Sequence, residues 1–413
     1  MKGRNMNTKV YYVYKFLKDF MPIYPIYVLM FEESGLSISK VSLLLIIWSA
    51  TVVVFEIPTG VLADHWSRKK SLLLGIIFKA TGYLIWIFAS EFSLFALGFV
   101  LWGMSESLCS GSEEALLYDC LKSSSREKDF SKVYGEGNFF AGMAVACSSL
   151  GGGFLSKVIG FQGVLIACIV SALLAAVFVT QLKEVNLFRD DSQEKEVEVK
   201  RPIGTFLEAV LLCVRHRILF LTISILIFVI GTAGIIDEYD PIIAKYYLGD
   251  IGLVGVWVSI RYLIEAMGAK YAHKCQWIFL KLRVRDEFRM VVVLCILSGL
   301  SLLVFAVTRN TWFIPLYAFF YFCLSTAGVL QEEFVQKTIE EQGRSTVHSV
   351  ISLINNLFGI VFLLIAGIVF DMLSISIGLV LLSVYVMMMS IILFVYYTIY
   401  SNVARQRDIR RRN

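Results

Sequence analysis

Charge is scarce in this chain. Of its 413 residues, 17% are Asp, Glu, Lys or Arg, and 57% are hydrophobic. Soluble domains keep about a quarter of their residues charged, so this deficit, with a mean hydropathy of +0.72, fits a chain whose solvent is mostly lipid. Paired cysteines are lacking too. Eight cysteines (109, 120, 147, 168, 213, 275, 295 and 323) stand singly with no C-x-x-C, which removes any cysteine-based metal knuckle and leaves them as small buried hydrophobes. The four histidines (65, 216, 273, 348) are isolated, so no metal site is expected. H-E-x-x-H, G-x-S-x-G and G-x-x-x-x-G-K-[ST] are missing, so neither an enzyme nor an ATP-driven pump is expected. The apolar runs are too long for barrel strands and lack sustained alternation. No cleavable leader is expected either: Lys15, Lys18 and Asp19 interrupt the first apolar stretch, and that helix is expected to be retained.

What is present is a series of apolar runs, each near the roughly 20 residues a helix needs to cross hydrocarbon. They predict spans at 10–31, 36–62, 70–89, 91–118, 132–156 and 161–182, then 217–236, 250–272, 289–307, 311–337, 345–370 and 373–400. The expected fold is an all-α membrane protein of twelve transmembrane helices in two pseudo-symmetric six-helix bundles, residues 1–182 and 203–400. A polar stretch, 183–202, reads as a solvated cytoplasmic linker, Pro202–Arg217 as a piece lying flat at the interface, and 401–413 as a basic tail. With the amino terminus inside, outer loops hold only Lys40, Lys157, Lys245 and Arg309. That asymmetry puts both termini in the cytoplasm. The basic tail then faces anionic lipid, and nucleic acid is not an expected partner.

The halves echo each other. Ser-Gly-Ser-Glu113-Glu114 closes span four and Val-Leu-Gln-Glu332-Glu333 closes span ten, while Asn138-Phe-Phe-Ala-Gly142 is answered by Asn356-Leu-Phe-Gly359. Two matches at nearly one offset, in corresponding spans, indicate a duplicated six-helix unit.

The loop after span two reads Glu56-Ile-Pro58-Thr-Gly60-Val-Leu-Ala-Asp64-His-Trp-Ser-Arg68-Lys69-Lys70. It resembles the loop 2–3 signature of the major facilitator superfamily, G-x-x-x-D-[RK]-x-G-[RK]-[RK], matching at Gly60, Asp64, Arg68 and Lys69. His65 and Ser67 depart from it, so the turn is expected to be built differently. The longer form E-x-P-x-x-x-x-x-D-x-x-x-R-K resembles proton-coupled drug and tetracycline exporters of that superfamily. Physically, Gly60 admits a close helix neighbour and Asp64 can accept from a helix start or a basic side chain. With Arg68, Lys69 and Lys70 they read as a cytoplasmic gate tying the halves together. The counterpart after span eight is degenerate, which makes that gate asymmetric.

Ionisable groups inside spans are costly and usually functional. Asp19 lies in span one before Pro22 and Pro25, which suggest a bend; the resemblance puts it near substrate, and a Lys15–Asp19 pair is the alternative. Glu106 and Glu113 share a face of span four. With Glu114 and with Glu56, expected to face crowded protein, they are the candidate proton carriers. In the second half the candidates are Arg261 with Glu265 as an i,i+4 pair, and Glu332 and Glu333. Lys79 has no obvious partner in sequence, with Glu106 and Glu56 as the candidates. The acids within spans, which also include Glu136, outnumber Lys15, Lys18, Lys79 and Arg261, a balance that suits protons and cationic or amphipathic solutes. The expected function is a secondary transporter in a bacterial inner or plasma membrane, exporting small amphipathic compounds by alternating access. It would act as a monomer with no cofactor beyond the proton gradient. A proton-coupled importer of a nutrient or metal chelate, and a non-transporting receptor, are the alternatives.

Overall fold

The computed structural model describes residues 8–65, 67–126, 129–184, 217–284, 286–338 and 344–412. Side chains at some positions inside its helices, among them Asp64, Glu114, Glu332 and Glu333, and the surroundings of Gly60, lie outside the described residues, as do the linker and the interfacial piece at 185–216. The described residues form helices and no strands: α1 (Thr8–Asp19), α2 (Tyr27–Glu33), α3 (Ile38–His65), α4 (Arg68–Phe88), α5 (Phe92–Lys122) and α6 (Phe130–Gln181). After the centre come α7 (Arg217–Ile225), α8 (Thr232–Ile236), α9 (Asp240–Leu248), α10 (Ile251–Lys270), α11 (Ala272–Lys281), α12 (Glu287–Thr308), α13 (Ile314–Thr338), α14 (Arg344–Met372) and α15 (Ile375–Arg412). Ten stretches among the described residues are long and apolar enough to cross a membrane. One of them, Glu136–Gln181, has 46 residues, about 69 Å of helix at 1.5 Å per residue. It covers most of the two spans expected at 132–156 and 161–182, and it breaks at Gly160, whose φ of 66° and ψ of 174° are non-helical. A side chain there would be strained, and glycine makes the break possible.

The first expected span is broken as well. α1 stops at Asp19, residues 20–26 turn through Tyr24 N to Met21 O and Ile26 N to Ile23 O, both 3.0 Å, and α2 resumes at Tyr27. Pro22 and Pro25 each lack an N–H and fix φ, so a continuous ladder cannot pass them. Span seven is longer than the sequence suggested. The chain runs from Arg217 to Leu248 through a π-helical turn at Leu226–Ile230 and a 3-10 turn at Asp237–Tyr239. The expected end at 236 is corrected accordingly, with the result that Asp237 and Asp240 lie within the helical run instead of in an outer loop.

The residues separate into two compact units. Unit 1 holds α1–α6 with residues 248–259, and unit 2 holds α7, α8, α9 up to Tyr247 and everything from Ile260 onward. In unit 1, α4 packs on α5 and α6, α3 on α5, and α1 on α6, around Tyr11, Tyr14, Leu72, Ile76, Cys109, Leu117 and Val179. The amino-terminal half of α10 sits against the glycine-bearing part of α6. A Cβ on Gly255 would come within 2.3 Å of Ser149 O, and Ser259 Oγ donates to Ala146 O at 3.1 Å. In unit 2, α12 packs on α13 and α15, and Leu219, Ile223, Ile227 and Ile351 form a small core. Large apolar side chains such as Phe88, Val177, Ile365 and Ile399 stay exposed, as lipid-facing positions do.

Candidate functional site

Among the described residues, each unit buries an ion cluster. In unit 1 it arises from helical spacing. Tyr11, Tyr14, Lys15 and Lys18 recur at i, i+3, i+4 and i+7, so they share one face of α1, and that face meets Glu113 of α5. Lys15 Nζ lies 2.8 Å from Glu113 Oε1 and Lys18 Nζ 2.8 Å from Oε2. Tyr14 OH donates to Oε2 at 3.0 Å and Tyr11 OH to Oε1 at 3.2 Å. The Glu113 side chain is 6% exposed. Two ammonium groups and two hydroxyls occupy both carboxylate oxygens. Lys15 therefore pairs with Glu113 and not with Asp19, and Glu113 is one corner of a network instead of a lone carboxylate.

In unit 2 the balance is reversed. Arg261 of α10 places Nε 2.8 Å from Asp240 Oδ2, Nη1 2.8 Å from Glu265 Oε2 and Nη2 3.6 Å from Asp237 Oδ2. Tyr321 OH donates to Asp240 Oδ1 at 3.0 Å, and Tyr317 OH donates to the same oxygen. The guanidinium also lies 4.8 Å over the Tyr321 ring. Asp240 is fully buried. Three carboxylates surround one cation, and Glu265 is the exposed one at 37%. It lines a cavity of about 450 Å³ formed with Ile230, Ala233, Gly234, Leu324, Ser325, Gly328 and Val329. The cavity is apolar apart from Glu265 and Ser325. The small residues among these, together with the π-helical turn that ends at Ile230, leave room for it.

Of the residues named from sequence, the structure joins Arg261 to Glu265 as expected. Asp237, Asp240, Tyr317 and Tyr321 were missed. Their signals were present as i,i+3 acids and i,i+4 tyrosines, but acids at 237–240 read as the end of a span. Glu106 is exposed on α5 and shares a small cavity with Lys18 and Lys79. Lys79 pairs with neither Glu106 nor Glu56; its Nζ sits 5.4 Å over the Trp102 ring. Glu56 is exposed on α3, which corrects the expectation that it faces crowded protein: at this point of the helix its side chain points out of the packing. Asp19 ends α1.

The signature loop is built as follows. Ser67 caps α4: its Oγ accepts from Lys70 N at 3.1 Å and donates to Glu184 Oε2 at 2.8 Å. A side-chain cap thus does what a glycine turn would otherwise do. Arg68 is buried and paired with Asp119 at the end of α5. Lys69 Nζ donates to Leu182 O at 2.9 Å and to Thr180 O, meeting the negative end of the α6 dipole. Lys70 is exposed. The contacts of Ser67, Arg68 and Lys69 described here lie inside unit 1.

The sequence profile of the Major Facilitator Superfamily matches residues 15–363. An uncharacterized MFS-type transporter, YxaM of Bacillus subtilis (strain 168), is 27% identical over 90 residues, which are 22% of this chain and 23% of that protein. The match therefore spans about a quarter of that relative. Among solved structures, the nucleoside transporter NupG superposes with a TM-score of 0.70 at 14% identity, covering 94% of this chain and 98% of that one. The POT family transporter PepTSo superposes with a TM-score of 0.69 at 11% identity, covering 95% and 98%. At these identities the structural likeness establishes the fold.

Proposed function

The chain belongs to the Major Facilitator Superfamily of membrane transporters, and from that premise we propose that it is a proton-coupled exporter of small cationic or amphipathic molecules. It would have twelve spans in two six-helix bundles, both termini in the cytoplasm of a bacterial-type cell, and a monomeric alternating-access cycle with no cofactor. The observation that carries the proton coupling is the charge imbalance around Arg261: Asp237, Asp240 and Glu265 against one guanidinium. Burying surplus negative charge is costly. A proton entering by way of Glu265 relieves that cost, and its departure restores it. Glu113, by contrast, is held by two lysines, so protonating it would mean giving up two ion pairs; it serves as a structural pin between α1 and α5. Export rests on the E-x-P form of the Glu56–Lys70 loop, with Gly60, Asp64, Arg68, Lys69 and Lys70 as the gate.

Proteoliposomes with an internal pH dye test this. Adding a cationic amphiphile from a toxicity screen should move protons in the direction opposite to solute. Co-directional movement would favour import, and solute accumulation with no proton movement would overturn coupling. Asp240→Asn should abolish proton movement while leaving solute counterflow. If the variant still couples, the proton site lies elsewhere.

A further inference from the structure

The connection between α10 and α12 carries a feature outside the proposed transport site. α10 leaves one candidate span at Lys270 and α12 begins the next at Glu287, so α11 between them starts and ends at one face of the bilayer. Its 10 residues make about 15 Å of helix, far short of a crossing. Ala272 is buried, whereas Trp277 is 56% exposed, with Ile278, Leu280 and the following Leu282 also exposed. On the same exposed arc stand Lys274 and Lys281, seven residues apart and thus two turns along one face.

Charge on this segment is of one sign. Between Glu265 and Asp286 the sequence holds Lys270, Lys274, Lys281, Arg283 and Arg285 and no acid. Among the described residues none of Lys270, Lys274, Lys281 or Arg283 forms an ion pair. The three lysines lie over rings instead. Lys281 Nζ lies 3.6 Å over Trp277, and Lys274 Nζ 4.6 Å over Tyr271. Aromatic rings at headgroup depth with lysine stems lying along apolar surface are the arrangement of an interfacial helix. Ammonium groups without carboxylate partners there meet the phosphates of the leaflet.

We propose that α11 is a binding surface for anionic phospholipid headgroups, with Trp277, Ile278 and Leu280 seated in the interface and Lys274 and Lys281 holding phosphate. The inference rests on the membrane-spanning reading of α10 and α12, and not on proton coupling. Because α11 follows α10 after Tyr271, a headgroup held there is fixed to the helix that carries Arg261 and Glu265.

Nanodiscs containing the full-length protein and either brominated phosphatidylglycerol or brominated phosphatidylcholine, at equal mole fraction, provide the test. The fluorescence difference between the wild type and Trp277→Phe isolates Trp277. Each lysine near an anionic surface contributes about five-fold in local lipid preference, so Trp277 should be quenched markedly more by the brominated phosphatidylglycerol. Lys274→Gln combined with Lys281→Gln should remove that preference and leave quenching by the phosphatidylcholine intact. Equal quenching by both lipids in the wild type would overturn headgroup recognition. No quenching by either would overturn the interfacial seating, and an unchanged preference in the double variant would overturn the role of these two lysines. Far-UV circular dichroism and a single gel-filtration peak establish that each variant is folded, and the readout is independent of any transport measurement.

Discussion

Removing Arg261 is the most discriminating perturbation of unit 2. Its side chain is 2% exposed and Asp240 is 0% exposed, with 2.8 Å between Nε and Oδ2. Arg261→Gln leaves Asp240 buried beside two tyrosine hydroxyls with no cation. Breaking a buried pair from one side costs about 3–5 kcal/mol, because the remaining charge keeps its desolvation penalty. For a unit of roughly 200 residues, each kcal/mol corresponds to about 2–4 °C of melting temperature, so the shift is on the order of 10 °C. Arg261→Lys should recover only part of it, since an ammonium point charge cannot reach three carboxylates in the fixed fork of a guanidinium. Adding Asp237→Asn and Asp240→Asn to Arg261→Gln should restore most of the loss by deleting the orphaned charges. The assay is thermal unfolding of the detergent-solubilised protein followed by intrinsic fluorescence. Two results would refute the reasoning: a shift below about 2 °C for Arg261→Gln, or a triple variant less stable than the single one, which would show that the carboxylates do not depend on the cation.

In unit 1, Glu113→Gln strands Lys15 and Lys18 and should cost about 3 kcal/mol. Tyr14→Phe, which removes one hydrogen bond to the carboxylate, should cost about 1–2 kcal/mol; thermal melts of both variants check the ratio. At the exposed Lys157–Asp250 pair, the hydrogen bond from Lys157 holds the Asp250 carboxyl below its usual range. A carboxyl lowered in the folded state contributes stability above its ordinary range and loses it as pH falls through the lowered value. The small melting difference between wild type and Lys157→Met should therefore be present at neutral pH, vanish in acid, and shrink with added salt.

Sequence alone went far toward this fold because lipid imposes long apolar helices, and their lengths are countable. Superfamily membership was legible in Gly60, Asp64, Arg68 and Lys69. The pairing of buried charges was not. Lys15 had Asp19 as a neighbour one turn away, but α1 turns its Tyr11–Lys18 face toward Glu113, almost a hundred residues along the chain. Such a contact depends on how α1 is rotated against α5, which hydropathy does not specify. Asp237 and Asp240 were misplaced for a related reason. Acids at the end of an apolar run look like solvated loop unless the partner cation, Arg261, is known to lie against them. The i,i+4 pair Arg261–Glu265 needed no such knowledge, since both ends sit on one helix.

The cap at Ser67 has a bearing on how relatives of this chain are recognised. Its hydroxyl completes the first turn of α4 and ties it to Glu184, and Thr, Asn and Asp can supply the same acceptor. A search pattern that insists on glycine at this place would discard sequences whose loop begins its helix by a side-chain hydrogen bond. A pattern admitting Ser, Thr, Asn or Asp, together with an arginine one residue on and an acid near the end of α5, would retrieve them.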